Sequence, residues 1–176
     1  PPLDSWHALR QTLAARLAEP GPDAAWLARL QAASERLRTL ADDDADTSLY
    51  VVMQGVTTEF ERYSAQHALF CALVALLCNR MLQLPEAEDV ALFQAALTMN
   101  IAMTEVQDVM AMQEMRPTDE QRQVIDDHPA VGAQRLAEAG VADALWLDVV
   151  RRHHFPIAVG EVADDANAAQ RLARLL

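Results

Sequence analysis

The chain has 176 residues, 52% hydrophobic but only 5% aromatic, with 5 glycines and a formal net charge of −12. That length makes one domain, or one domain with a helical extension, able to bury a substantial core. Sparse aromatic and β-branched residues beside abundant Ala, Leu, Glu and Gln exclude a large sheet and favour an all-α fold. The excess of acid excludes a general binder of nucleic-acid polymers, because such a surface repels phosphate backbones.

No signal-peptide pattern opens the chain. The longest charge-free apolar run, Ala68 to Cys78, is too short to cross a bilayer. Cys71 and Cys78 lie about 10 Å apart along one helix axis, too far to bridge each other. They read as small buried hydrophobes in a reducing compartment. The expectation is a cytoplasmic protein without membrane contact.

In chain order, Asp4 to Leu17 reads as an amphipathic helix with Trp6, Leu9, Leu13 and Leu17 on one face. Glu19-Pro-Gly-Pro-Asp23 breaks it, and Asp23 is placed to cap a second helix running to about Leu40. The acidic stretch Ala41–Asp46 is the best domain boundary. It separates an N-terminal helical hairpin, residues 1–46, from the main domain, residues 47–176. Ser48 to Phe60 forms another helix, and Tyr63 to Leu84 is apolar on almost every side, as befits a helix through the middle of the fold.

Pro85-Glu86 starts the next helix, whose apolar run leads through Leu97 to Ile101 and encloses the polar amide of Asn100. Thr104 to Met115 follows, then Arg116-Pro117. Thr118-Asp-Glu-Gln121 has the form of a capping box opening a short helix to about Asp126. His128-Pro129 opens a further helix, with proline suited to its first position and Gly140 to the position just past its end. Ala142 to His153 is helical up to Phe155-Pro156, residues 157–167 are irregular, and a last helix begins at Ala168.

The residues able to carry chemistry fall in a telling order: His67 early in the buried helix, Met99-Asn100, His128-Pro129, then His153-His154. Between them, Val106-Gln-Asp108 forms a loop and Pro117-Thr-Asp-Glu120 a cap, and His128-Pro-Ala-Val-Gly132 and Val149-Val-Arg-Arg-His-His154 close the series. This ordered set, over roughly residues 60–155, resembles the HD superfamily of metal-dependent phosphohydrolases. Within it, it resembles the HD-GYP branch that hydrolyses cyclic di-GMP. The resemblance implies an HD-domain-like multi-helix bundle with an N-terminal extension, and metal ligands at His67, His128, His153 and His154.

The chain departs from that pattern at its centre. Met99 replaces the histidine of the His-Asp pair, and a thioether is a poor ligand for Mn²⁺ or Fe²⁺. Asn100 replaces the aspartate whose charge would offset two cations, and Met103 replaces the lysine that would meet substrate phosphate. No Gly-Tyr-Pro follows His154, and Phe155 stands where an acid is expected. The leading expectation is therefore a degenerate HD-GYP-like domain, with vestigial positions Met99, Asn100 and Met103, acting as a bacterial signalling or protein-interaction module. Its partner would be another signalling protein, and no cofactor is expected.

The alternative is a divergent phosphohydrolase that uses a reduced histidine site, holding Fe, Mn or Zn, to cleave cyclic di-GMP or another phosphoester. Binding of cyclic di-GMP without cleavage is a third possibility. Arg62, Arg80, Arg116, Arg122, Arg151 and Arg152 would supply an anion pocket if they converged, and otherwise are scattered surface charge. Met99, Met103, Met110, Met112 and Met115 either fill a vacated metal cavity or form an adaptable surface. His7 reads as solvated.

Overall fold

The computed structural model describes residues 2–21, 23–58, 62–154 and 167–176. Among these residues the fold is all-α, with nine helices and no strand. They are α1 (Pro2–Ala18), α2 (Ala24–Asp43), α3 (Ala45–Thr58), α4 (Tyr63–Leu82), α5 (Glu86–Thr98), α6 (Thr104–Met112), α7 (Asp119–Glu138), α8 (Ala144–Arg152) and α9 (Ala168–Ala173). The expected irregular stretch 157–167 lies outside the described residues except for Asn167, which caps α9.

α4 is the hub, packed against α1, α2, α3, α5 and α6. Its buried stripe is rich in alanine (Ala65, Ala68, Ala72, Ala75), which lets neighbouring helix axes approach closely. Its C-terminal end emerges from the core: Met81 is 86% exposed, and Cys78 is exposed rather than buried. By length and composition α4 could span a membrane, and 44% of its apolar window is buried inside the bundle.

α1 and α2 form an antiparallel hairpin. Asp23 caps α2 by accepting from Trp26 N at 2.7 Å, and the Trp26 indole N–H reaches back to the Arg16 carbonyl at 3.0 Å. The acidic stretch 41–46 is helical nearly throughout, and Asp44 alone separates α2 from α3. The reason is local. Ala41 is fully buried, Asp44 accepts from Thr47 N, and the Ser48 hydroxyl lies 3.1 Å from the Leu40 carbonyl across the break. One apolar cluster runs from Trp6 on α1 to Ala173 on α9, so the hairpin shares the core of the rest.

α5 is buried along Ala91–Thr98 and ends there. Residues 99–103 form a turn instead of prolonging the helix, with Ile101 N donating to Thr98 O at 3.0 Å and Met103 N to Asn100 O at 2.9 Å. The two helices expected on either side of Asp126 are a single helix, α7, with Pro129 inside it. Its capping box at Thr118 and Gln121 forms as expected, and Gly140 adopts φ 102° just beyond its end. That left-handed geometry lets Val141 N reach back to the Leu136 carbonyl at 3.0 Å.

A buried polar chain ties α8 to α5 and α2. The Trp146 indole N–H donates to Thr98 Oγ1 at 2.9 Å, and that hydroxyl donates to Gln94 O at 2.7 Å. From Gln94 the amide N–H donates to Ser34 Oγ at 2.9 Å, and Ser34 Oγ donates to Gln31 O at 2.8 Å. Because the C-terminal end of α8 carries the paired histidines, this chain sets where they stand.

Candidate metal centre

The centre is built at a flaw in α7. Proline has no N–H, so Pro129 leaves the Ile125 carbonyl without its helical donor. His128 Nδ1 donates to that oxygen and so fixes its own ring. His153, just past the last turn of α8, does the same with Val150 O at 2.7 Å. Only a protonated nitrogen can donate to a carbonyl, so in the neutral rings both Nε2 atoms carry lone pairs.

Those two Nε2 atoms face each other at 3.0 Å. Two lone pairs at that distance repel unless a proton or a cation lies between them. Two nitrogens each about 2.1 Å from one ion stand about 3.0 Å apart at right angles and about 3.4 Å apart at the tetrahedral angle that zinc prefers. The spacing is therefore close to that of two imidazoles on a common ion. His154 completes the group: its ring centroid lies 4.3 Å from that of His153 and 5.0 Å from that of His128. One ligand nitrogen from each of the three lies within 4.8 Å of the others. His128 is buried while His154 is exposed, so the centre opens to solvent on one side.

Electrostatics favour the metal-binding form. Burial pushes the pKa of His153 down to about 4, outweighing its carbonyl hydrogen bond, with His154 and His128 adding to the fall. Burial also lowers His128, again against its carbonyl bond and with help from His154. Deprotonated imidazole is the form that ligates.

His67 does not join. It is half-buried on α4, its ring stacked on Tyr63 at 5.7 Å and its Nε2 3.6 Å from Cys71 Sγ. Burial lowers its pKa and raises that of the Cys71 thiol to about 11. Of the four histidines expected as ligands, the structure brings three together.

Met99 and Asn100 lie on the turn between α5 and α6, which α7 approaches at Gly132. Gly132, one turn along α7 from His128, faces Met99 O, Ile101 and Val150, each 3.6–3.7 Å from where a Cβ would stand. Met99 and Met103 are buried, yet both stand outside the main apolar cluster. Met112 and Met115 are exposed, at 64% and 82%. Val106-Gln-Asp108, expected as a loop, is helical within α6, and Asp108 caps α4 by accepting from Ser64 N at 2.6 Å, one turn before His67.

The donor set fits one ion of borderline character such as zinc or ferrous iron. Among the described residues no carboxylate belongs to the group, so these three donors alone do not suit two hard cations. The arginines expected as an anion pocket are largely committed elsewhere: Arg80 pairs with Asp42, Arg122 with Asp119, and Arg151 and Arg152 with Asp148. The two carbonyls that orient the rings belong to Ile125 and Val150, and side-chain identity gives no hint of them; only the His-Pro pair foreshadows the first. Compared with known proteins, the chain matches no family model, no curated protein and no solved structure.

Proposed function

We propose that the chain is a non-hydrolytic HD-type helical domain, a signalling or protein-interaction module that retains a one-ion histidine centre. One observation supports this above others: among the described residues His128, His153 and His154 group without a carboxylate, while Met99 and Asn100 stand on the turn before α6. A single ion on three imidazoles lacks the bridging anion that holds two cations against a phosphoester. Such a centre braces α7 against α8 and makes the fold of that corner responsive to metal.

The convergence of the three rings also favours a second reading, a divergent phosphohydrolase working from one metal-bound water. Elemental analysis of protein expressed with iron, manganese and zinc, joined to turnover assays on cyclic di-GMP and bis(p-nitrophenyl) phosphate, separates the two. The proposal expects up to one equivalent of metal and no product. Turnover that disappears in His128→Ala would reject it in favour of the hydrolase.

A further inference from the structure

All 14 basic residues of this acidic chain are arginines. Arg38, Arg80, Arg122, Arg151, Arg152 and Arg171 each pair with a carboxylate. Of the remaining arginines, three share one feature. Arg16, Arg29 and Arg36 line an open groove of about 470 Å³ between α1 and α2, with no Asp or Glu on its walls. Its floor is small and largely apolar, with Ala8, Thr12 and Ala32 among its residues.

The three charges are strung along the groove rather than gathered at one point. Arg36 reaches across to Ser5 Oγ at 3.4 Å at one end. Arg29 lies two turns back along α2, about 10 Å along the axis. Arg16 sits at that same end, since its carbonyl receives the Trp26 indole, and its Nε is buried without a hydrogen-bond partner. A single phosphate cannot meet both ends at once. A rod with negative charges two turns apart can, and a small-residue floor lets such a rod lie close.

We infer that the α1–α2 groove docks an acidic amphipathic helix of a partner protein, its carboxylates spaced two turns apart to meet Arg29 and Arg36. The groove carries three positive charges on a chain of net charge −12, so it is the local exception to which an acidic helix is steered. The site lies on the hairpin and needs no metal, so it stands apart from the histidine centre.

The test is fluorescence anisotropy of the full chain with a labelled Ala-based helix of about 17 residues bearing Glu two turns apart. A Gln-for-Glu version serves as control, and inorganic phosphate and single-stranded DNA as competitors. Saturable binding that weakens at least about tenfold with the Gln peptide, with added salt, or in Arg29→Gln/Arg36→Gln is expected. Both arginines are exposed, so that variant keeps its fold, which circular dichroism checks. Equal binding of the Gln peptide, or unchanged binding by the variant, overturns the inference. Full displacement by millimolar phosphate would make the groove a small-anion site, and displacement by DNA a nucleic-acid site. A dimer of the chain alone that the double variant dissolves would put a second copy there instead. Each of these also overturns it.

Discussion

Pro129 and His128 are coupled through one oxygen: the carbonyl of Ile125, which the proline deprives of a backbone donor, receives His128 Nδ1. A residue that weakens the helix thereby orients a ligand. Pro129→Ala restores the backbone N–H and makes it compete with the imidazole for that carbonyl. The expected variant is more stable, by up to about 3 kcal/mol, and binds zinc about tenfold more weakly or worse. Thermal melts of the apo protein and competition with a chelating dye read the two effects separately. A gain in both would show that the ring does not depend on the carbonyl.

Stability depends on pH through the buried imidazoles. The folded chain holds His153 at about 4 and His128 below its ordinary value, whereas in the unfolded chain both titrate near about 6.5. Between those limits the unfolded chain binds protons that the folded chain refuses, so stability is full above about 6.5 and falls as pH drops toward about 4. Melting temperatures of the metal-free protein at stepped pH should be flat near neutrality and decline through this window. His153→Gln should make the decline shallower.

Thr98 carries the junction of α5 and α8. Thr98→Val keeps the volume but leaves the buried Trp146 indole N–H without an acceptor, which costs about 1–3 kcal/mol. Urea denaturation should show this as a lower midpoint with an unchanged slope. A wild-type midpoint would mean that α8 is held by packing alone.

Two glycines should respond oppositely to alanine. At Gly132 a Cβ meets only ordinary contacts at 3.6–3.7 Å, so Gly132→Ala in α7 should stabilise by up to about 1 kcal/mol. At Gly55 on α3 the same methyl runs into Gln66 Oε1 and the Arg10 guanidinium, where α3, α4 and α1 meet. Gly55→Ala should lower the melting temperature, and the pair of measurements fixes how tightly the hairpin is seated on α4.

Placing a His-Asp pair at positions 99 and 100 tests how near the α5–α6 turn lies to the centre. Met99→His/Asn100→Asp adds an imidazole and a carboxylate on the turn whose Met99 carbonyl faces Gly132. Metal content should rise above that of the parent by elemental analysis. An unchanged content would put this turn out of reach of the three histidines.

Much of the fold was legible because it is local. Helix after helix follows from apolar spacing and from caps such as Asp23 and Thr118, which act within a turn of themselves. The errors lay where a local rule met a tertiary one. Pro129 reads as a helix start, but burial of Pro129, Gly132 and Ala133 against the core carries α7 straight through it. Ala41–Asp46 reads as a break, but the buried Ala41 and Ser48 carry α2 into α3 with Asp44 alone between them.

The sequence by itself determined an all-α chain and the candidate ligands, since residue identity alone decides which donors exist. Only the tertiary structure decided which of those donors meet. It placed His128, His153 and His154 together and left His67 against Tyr63 and Cys71. It also decided which arginines line the α1–α2 groove, because that depends on distances between helices. Spacing along one helix is written in the residues; distance between two helices is set by how their faces pack.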